Sequence, residues 1–216
     1  MRKFVLYTLK FFGISLVSFL FWILFVVLQQ YNHRIDGQIY LMGTLIGYAL
    51  VFIFLFVVIY FLFAFYNLRS NPDRLKQRFF IFAGFYIISS PLVVLSFDNY
   101  LSVTPHGMVY NTFFSLGDEE IRTWQDIGHV ELDYTTTALP LQRQTKPRLV
   151  YRVVYKNGSS VNLNHYNSPL YAATQFKAIH KVMIKQDIPI QKKRAIPPDY
   201  KEKYPFIYDM YMLSEM

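Results

Sequence analysis

Residues 41–66 read LMGTLIGYALVFIFLFVVIYFLFAFY, twenty-six in succession without a charged side chain. As a helix rising about 1.5 Å per residue this stretch would reach roughly 39 Å, more than a hydrocarbon core of about 30 Å requires. Uncharged runs flank it on both sides, Phe11 to Leu28 (18 residues) and Phe79 to Phe97 (19 residues). Buried helices of soluble domains rarely avoid every charge over such lengths. The composition agrees: 53% of the 216 residues are hydrophobic and 17% charged, against roughly 25% charged in an average soluble chain. The expectation is an integral membrane protein with spans at about 4–28, 41–66 and 79–97. In the first span the apolar character begins at Phe4, so Lys10 would lie near the interface with its ammonium reaching outward.

Arg2 and Lys3 ahead of an apolar stretch resemble the start of a secretory signal. The stretch is longer than the usual signal core and ends in Leu28-Gln29-Gln30 without a small-x-small step, so it reads as a retained anchor. The third run contains Ser89-Ser90-Pro91, and a proline within a helix removes one backbone bond and kinks it. A re-entrant segment is the alternative there. Arg2, Lys3 and Lys10 precede the first span; Arg69, Arg74, Lys76 and Arg78 crowd the link between the second and third, opposed only by Asp73. The bias of basic residues toward the cytoplasm places both segments inside. Three full spans then put the C-terminal domain outside the cytoplasm, and a re-entrant third run would put it inside.

Residues 98–216 mix charges of both signs with short β-branched and aromatic runs. Strands are predicted at Tyr100–Thr104, Gly107–Phe114, Ile121–Trp124, His129–Tyr134, Arg148–Lys156 and Ser160–Asn164. Asn157-Gly158 predicts a two-residue hairpin with both positions at positive φ. Ser168-Pro169 predicts the cap and first turn of a helix over about 169–187. In it Ala172, Phe176, Ile179 and Met183 share one face and Lys177, Lys181 and Lys185 the other. The aromatic segment Tyr204 to Met212 is expected to dock on a surface. The division is a transmembrane region over 1–97, a β domain with its closing helix over 98–190, and a basic, proline- and aromatic-rich tail over 191–216.

The β domain resembles bacterial pleckstrin-homology-like (PH-like, YcxB-like) domains fused to membrane segments. The resemblance rests on Tyr100-Leu101-Ser102-Val103-Thr104 followed by Gly107 and Tyr110, and on Ile121, Trp124-Gln125-Asp126-Ile127 and Val130. The helix at 169–187 completes it. What it implies is an α+β membrane protein whose bent sheet, capped by a C-terminal helix, binds and does not catalyse. The family often has two spans where this chain has three, and 135–147 is a longer polar insertion. No phosphoinositide pocket transfers residue by residue.

Several side-chain groups invite a chemical reading. His129, Glu131 and Asp133 alternate along one strand and would share a face. They form a possible hard-metal or acid–base cluster, weighed against the polar side of a half-buried strand. Asp118-Glu119-Glu120 reads as an acidic hairpin tip. No cysteine is present, which removes disulfides, thiol catalysis and cysteine-ligated metals. His165 and His180 lack partners at ligand spacing and no nucleotide or hydrolase motif occurs, so no enzyme, cofactor or metal is expected. Gly43 and Gly47 form a GxxxG step that would let another helix approach. Lys177, Lys181 and Lys185, with Lys192, Lys193 and Arg194, form the extended basic feature, suited to anionic headgroups or a partner and weighed against a solvated helix face.

The expected role is a scaffold or accessory module in the cell membrane. Its partners would be the bilayer, a membrane protein partner and, as an option, further copies of itself. Auxiliary service in a transport or secretion complex is the second reading, and an enzyme using the His129 face a third. Of the formal net charge of +8, residues 1–97 contribute eight basic and two acidic side chains and residues 98–216 fourteen and twelve. A domain so nearly neutral is not built for nucleic acid.

Overall fold

Thr44 decides where the second apolar helix begins. Its backbone is extended (φ −73°, ψ 148°) and its hydroxyl accepts the Gly47 N–H at 3.1 Å, so helix α2 runs Leu45–Leu68 and not from Leu41. The structure is a computed structural model that describes residues 2–113, 118–136, 146–166 and 173–213. Helix α1 runs Arg2–Asn32 and helix α3 Pro72–Asp98. Asn71 caps α3 by accepting the Arg74 N–H, and the helix continues through Pro91 as one element of 27 residues. All three helices are long and apolar enough to cross a membrane. The chain divides into two compact units: a helical one (1–34, 43–100, 111–118) and a sheet one (35–42, 101–110, 119–216).

Within the helical unit, Trp22, Val26, Tyr48 and Val51 form a buried cluster. The Trp22 indole donates to the Tyr48 carbonyl at 3.0 Å. Toward the ends of α1 and α3, Gln29 is buried and its amide donates to the Phe97 carbonyl at 2.8 Å and the Ser96 carbonyl at 3.1 Å. Those are orphan carbonyls of the last turn of α3. His33 stacks on the Tyr100 ring at 4.2 Å.

The sheet unit holds two four-stranded sheets. The first has the order β1 (Tyr40–Gly43), β2 (Tyr100–Thr104), β3 (Gly107–Asn111), β4 (Glu120–Thr123). The second has the order β7 (Ser160–Asn162), β6 (Arg148–Tyr155), β5 (Ile127–Thr135), β8 (Ile190–Lys192). Pairing is antiparallel except that β8 lies parallel to β5 among the registered pairs. β1 comes from the connection between α1 and α2, and the Ile39 N–H donates to the Val103 carbonyl at 2.7 Å. Trp124-Gln125-Asp126 forms a 3-10 turn between β4 and β5. The Trp124 indole donates to the Pro105 carbonyl at 2.7 Å, and the Asp126 carboxylate accepts from both the Thr123 N–H and hydroxyl at 2.8 Å.

Helix α4 (Ala173–Lys185) buries Phe176, Ile179 and Met183, as its spacing predicts. Ala172, Ser168 and Pro169 lie outside the described residues. After α4, Asp187 takes a left-handed φ of 54°, and the Ile188 N–H reaches the Met183 carbonyl at 3.1 Å. Buried Ile188 thus closes a Schellman motif. The aromatic C-terminal segment forms α5 (Tyr200–Lys203) and α6 (Pro205–Leu213), the latter burying Ile207, Met210 and Tyr211 in the same core as Leu132, Tyr151 and Ile179.

Three expectations need correction. Gly107–Phe114 shortens to Gly107–Asn111, with Phe114 outside the described residues. The 155–159 hairpin carries three loop residues, not two: the Gly158 N–H donates to the Tyr155 carbonyl, and only Gly158 has positive φ (84°). A turn followed by one left-handed glycine satisfies the strand twist without straining Asn157. Residues 190–192 extend a sheet and do not belong to a tail.

Candidate functional site

Half of the basic feature predicted from sequence, Lys177, Lys193 and Arg194, is ion-paired within the sheet unit. Lys177 on α4 meets Asp209 on α6, Nζ to Oδ2 at 2.6 Å. Lys181 and Lys185 are exposed and have no ion-pair partner among the described residues. A shallow depression of ≈ 280 Å³ lies beside Lys181, lined by Lys177, Lys181, Asp209, Met212 and Leu213. The free part of the stripe is therefore Lys181 and Lys185.

Lys192, Lys193 and Arg194 follow a different path because β8 pairs with β5, Lys192 standing opposite Leu132. The Lys193 ammonium sits 2.6 Å from Glu131 Oε1, and Arg194 Nε sits 2.9 Å from Asp133 Oδ1. Arg194 also lies over the Tyr134 ring at 5.2 Å, and Lys192 over Tyr211 at 6.0 Å. Arg152 approaches Glu131 from β6 at 3.5 Å. The Lys193 ammonium above all, aided by Arg152 and His129, holds the Glu131 carboxyl below the usual carboxylate range.

The same contacts involve His129, Glu131 and Asp133, the residues of the metal reading. Both carboxylates face cations, Lys193 and Arg194 from the residues just after β8 and Arg152 from β6, and His129 Nε2 stands 3.7 Å from Glu131 Oε1. Among the described residues, no group of three His, Asp or Glu side chains is placed to hold a metal ion. Alternation on the strand is legible in the sequence; the cations that cover it come from β6 and the 190–194 segment and are not.

Gly43 and Gly47 do not form a helical GxxxG step. Gly43 ends β1 and Gly47 lies in α2, with the Thr44 cap between them. Gly43 is nonetheless tight: a Cβ there would stand 2.9 Å from Gln29 Oε1, 3.0 Å from Tyr48 Cζ and 3.1 Å from the Asn99 carbonyl oxygen. Its N–H donates to the Tyr48 hydroxyl at 2.9 Å.

A buried polar pair escaped the sequence reading. The Tyr151 hydroxyl and His180 Nδ1 lie 3.0 Å apart in the core, both with no exposed surface. Burial pushes the His180 imidazole down to about 4 and the Tyr151 phenol upward, so both are neutral near pH 7. Their spacing in sequence, 29 residues across two elements, carries no local signal.

No protein-family model matches this chain, and no curated protein sequence matches it.

Proposed function

We propose that the protein is a three-span membrane anchor presenting a PH-like binding domain, and that it works as a scaffold or accessory module at the membrane surface. The observation that carries the topology is the pairing of β1 with β2. β1 lies between α1 and α2 and β2 follows α3, so the two strands pair only if both helix connections open on one side. That is the arrangement of three full spans. The basic link between α2 and α3 and the basic N-terminus fall on the other side, which the charge bias identifies as cytoplasmic. The domain then stands outside the cytoplasm.

Two four-stranded sheets joined by the Trp124 turn and packed against α4 support the PH-like reading. Binding is favoured over catalysis because the Glu131 and Asp133 carboxylates of β5 are engaged in ion pairs and the buried His180 is closed off from solvent. Lys181 and Lys185, the cations left unpaired on α4, are the recognition surface in this reading. The test is a photo-crosslinking residue placed at Lys181 or Lys185 in the full chain in native membranes. A discrete protein or phospholipid adduct at these positions, absent when the residue stands at exposed Ser159, supports the reading; equal and diffuse adducts at all three contradict it.

A further inference from the structure

β4 is an edge strand: Glu120–Thr123 pairs with β3, and among the described residues no strand pairs with its other side. Such an edge presents unpaired backbone donors and acceptors to any strand that fits. At its centre stands Ile121, 69% exposed, while every other large apolar side chain described in the sheet unit is less than half exposed. Glu120 and Arg122 flank it on the opposite face and form an ion pair with each other.

We propose that this edge docks a second copy of the same chain, β4 against β4, antiparallel and centred on Ile121. The geometry leaves one good register. A two-fold axis through Ile121 sets Ile121 against its copy on one face. On the other it sets Glu120 against Arg122 twice, and Glu119 falls opposite Thr123. Slipping the centre to Glu120 opposes two carboxylates, and slipping it to Arg122 opposes two guanidiniums. Like charges directly across a ladder are unfavourable and opposite charges favourable, so the sequence Glu-Ile-Arg is complementary to itself in this register alone. Slips that keep side chains on their own faces come in these steps. The interface is isologous, as closed two-fold dimers require. It adds backbone pairing, one apolar contact and two exchanged ion pairs to each copy.

The chain contains no cysteine, so Ile121→Cys introduces the sole thiol. Directly opposed residues of antiparallel strands have Cα atoms about 4.5–5.5 Å apart, within disulfide range. Mild oxidation of membranes holding the full-length variant is expected to give a covalent dimer, and Thr123→Cys none, because it faces Glu119. Glu120→Arg and Arg122→Glu, each added to Ile121→Cys, are expected to lose the dimer when expressed alone. They are expected to regain it as a mixed dimer when differently tagged chains are co-expressed, since Arg then faces Glu in both pairs. Misfolding of either variant cannot produce that rescue. No dimer from Ile121→Cys, equal dimer from Thr123→Cys, or no rescue in the mixed expression would overturn the proposal. Recovery of every variant in the membrane fraction reports the anchor separately, so failure of the dimer and failure of the membrane reading are distinguishable.

Discussion

The side-chain amide of Gln29 donates to the backbone carbonyl of Phe97 at 2.8 Å, and through it the end of α1 closes the last turn of α3. The same nitrogen lies 3.1 Å from the Ser96 carbonyl. A helix end without such donors leaves its final carbonyls unsatisfied, at a cost of about 1–3 kcal/mol when buried. Gln29→Leu is therefore expected to lower the thermal midpoint of the full chain in detergent. An unchanged midpoint for Gln29→Leu would show that the bond contributes nothing.

Gly43 stands where β1 hands over to α2, with Gln29, Tyr48 and Asn99 around the place a Cβ would occupy. Two of these neighbours are a ring carbon and a backbone oxygen that cannot move far. Gly43→Val is expected to destabilise the fold itself by about 1–3 kcal/mol, the usual range for overpacking. Were it an inter-chain packing residue instead, stability would hold while complex recovery fell. Thermal unfolding and co-purification, measured on the same variant, separate the two.

The Tyr151–His180 pair predicts an acid dependence. The folded-state value for His180 is about 4, below the ordinary value of 6.5. The unfolded chain therefore binds the extra proton first. The contribution is fully present above pH of about 6.5 and is lost as pH falls toward about 4, a difference of about 3 kcal/mol. Unfolding midpoints of the full chain across that window should decline as pH falls. Replacing both partners, Tyr151→Phe with His180→Leu, removes the buried polar atoms together and should flatten the decline; an equal slope in this variant would assign it elsewhere.

How much of this was legible in the sequence differs by element. The three apolar helices follow from long uncharged runs, and Phe176, Ile179 and Met183 announce the buried face of α4 by spacing alone. β1 did not, because Leu41-Met42-Gly43 continues an apolar run whose strand character depends on a partner, β2, about sixty residues away. The same holds for the candidate site. Lys177 and Lys181 look alike in the sequence, and only the folding of α6 onto α4 gives one of them Asp209. Long-range pairing decides both cases, and local pattern carries no trace of it.

That difference between the lysines gives a further prediction. Lys181→Glu with Lys185→Glu reverses two exposed charges and should leave the unfolding midpoint within about 0.5 kcal/mol of the parent, as surface changes do. Lys177→Glu sets a carboxylate beside Asp209 and should loosen α6, detected as faster proteolysis of the C-terminal segment. If the double variant is the one that destabilises, these two cations are engaged in the fold and the recognition surface lies elsewhere.

The most direct test of the account is which side of the membrane each connection faces. Asp36→Cys in the α1–α2 connection, Asn157→Cys in the β6–β7 hairpin and Ser70→Cys in the α2–α3 link each add the sole thiol at an exposed position. Intact cells are then treated with a membrane-impermeant maleimide. The account predicts that Asp36→Cys and Asn157→Cys are labelled together while Ser70→Cys is labelled only after the cells are opened. Labelling that separates Asp36→Cys from Asn157→Cys, or that groups Asn157→Cys with Ser70→Cys, would contradict it.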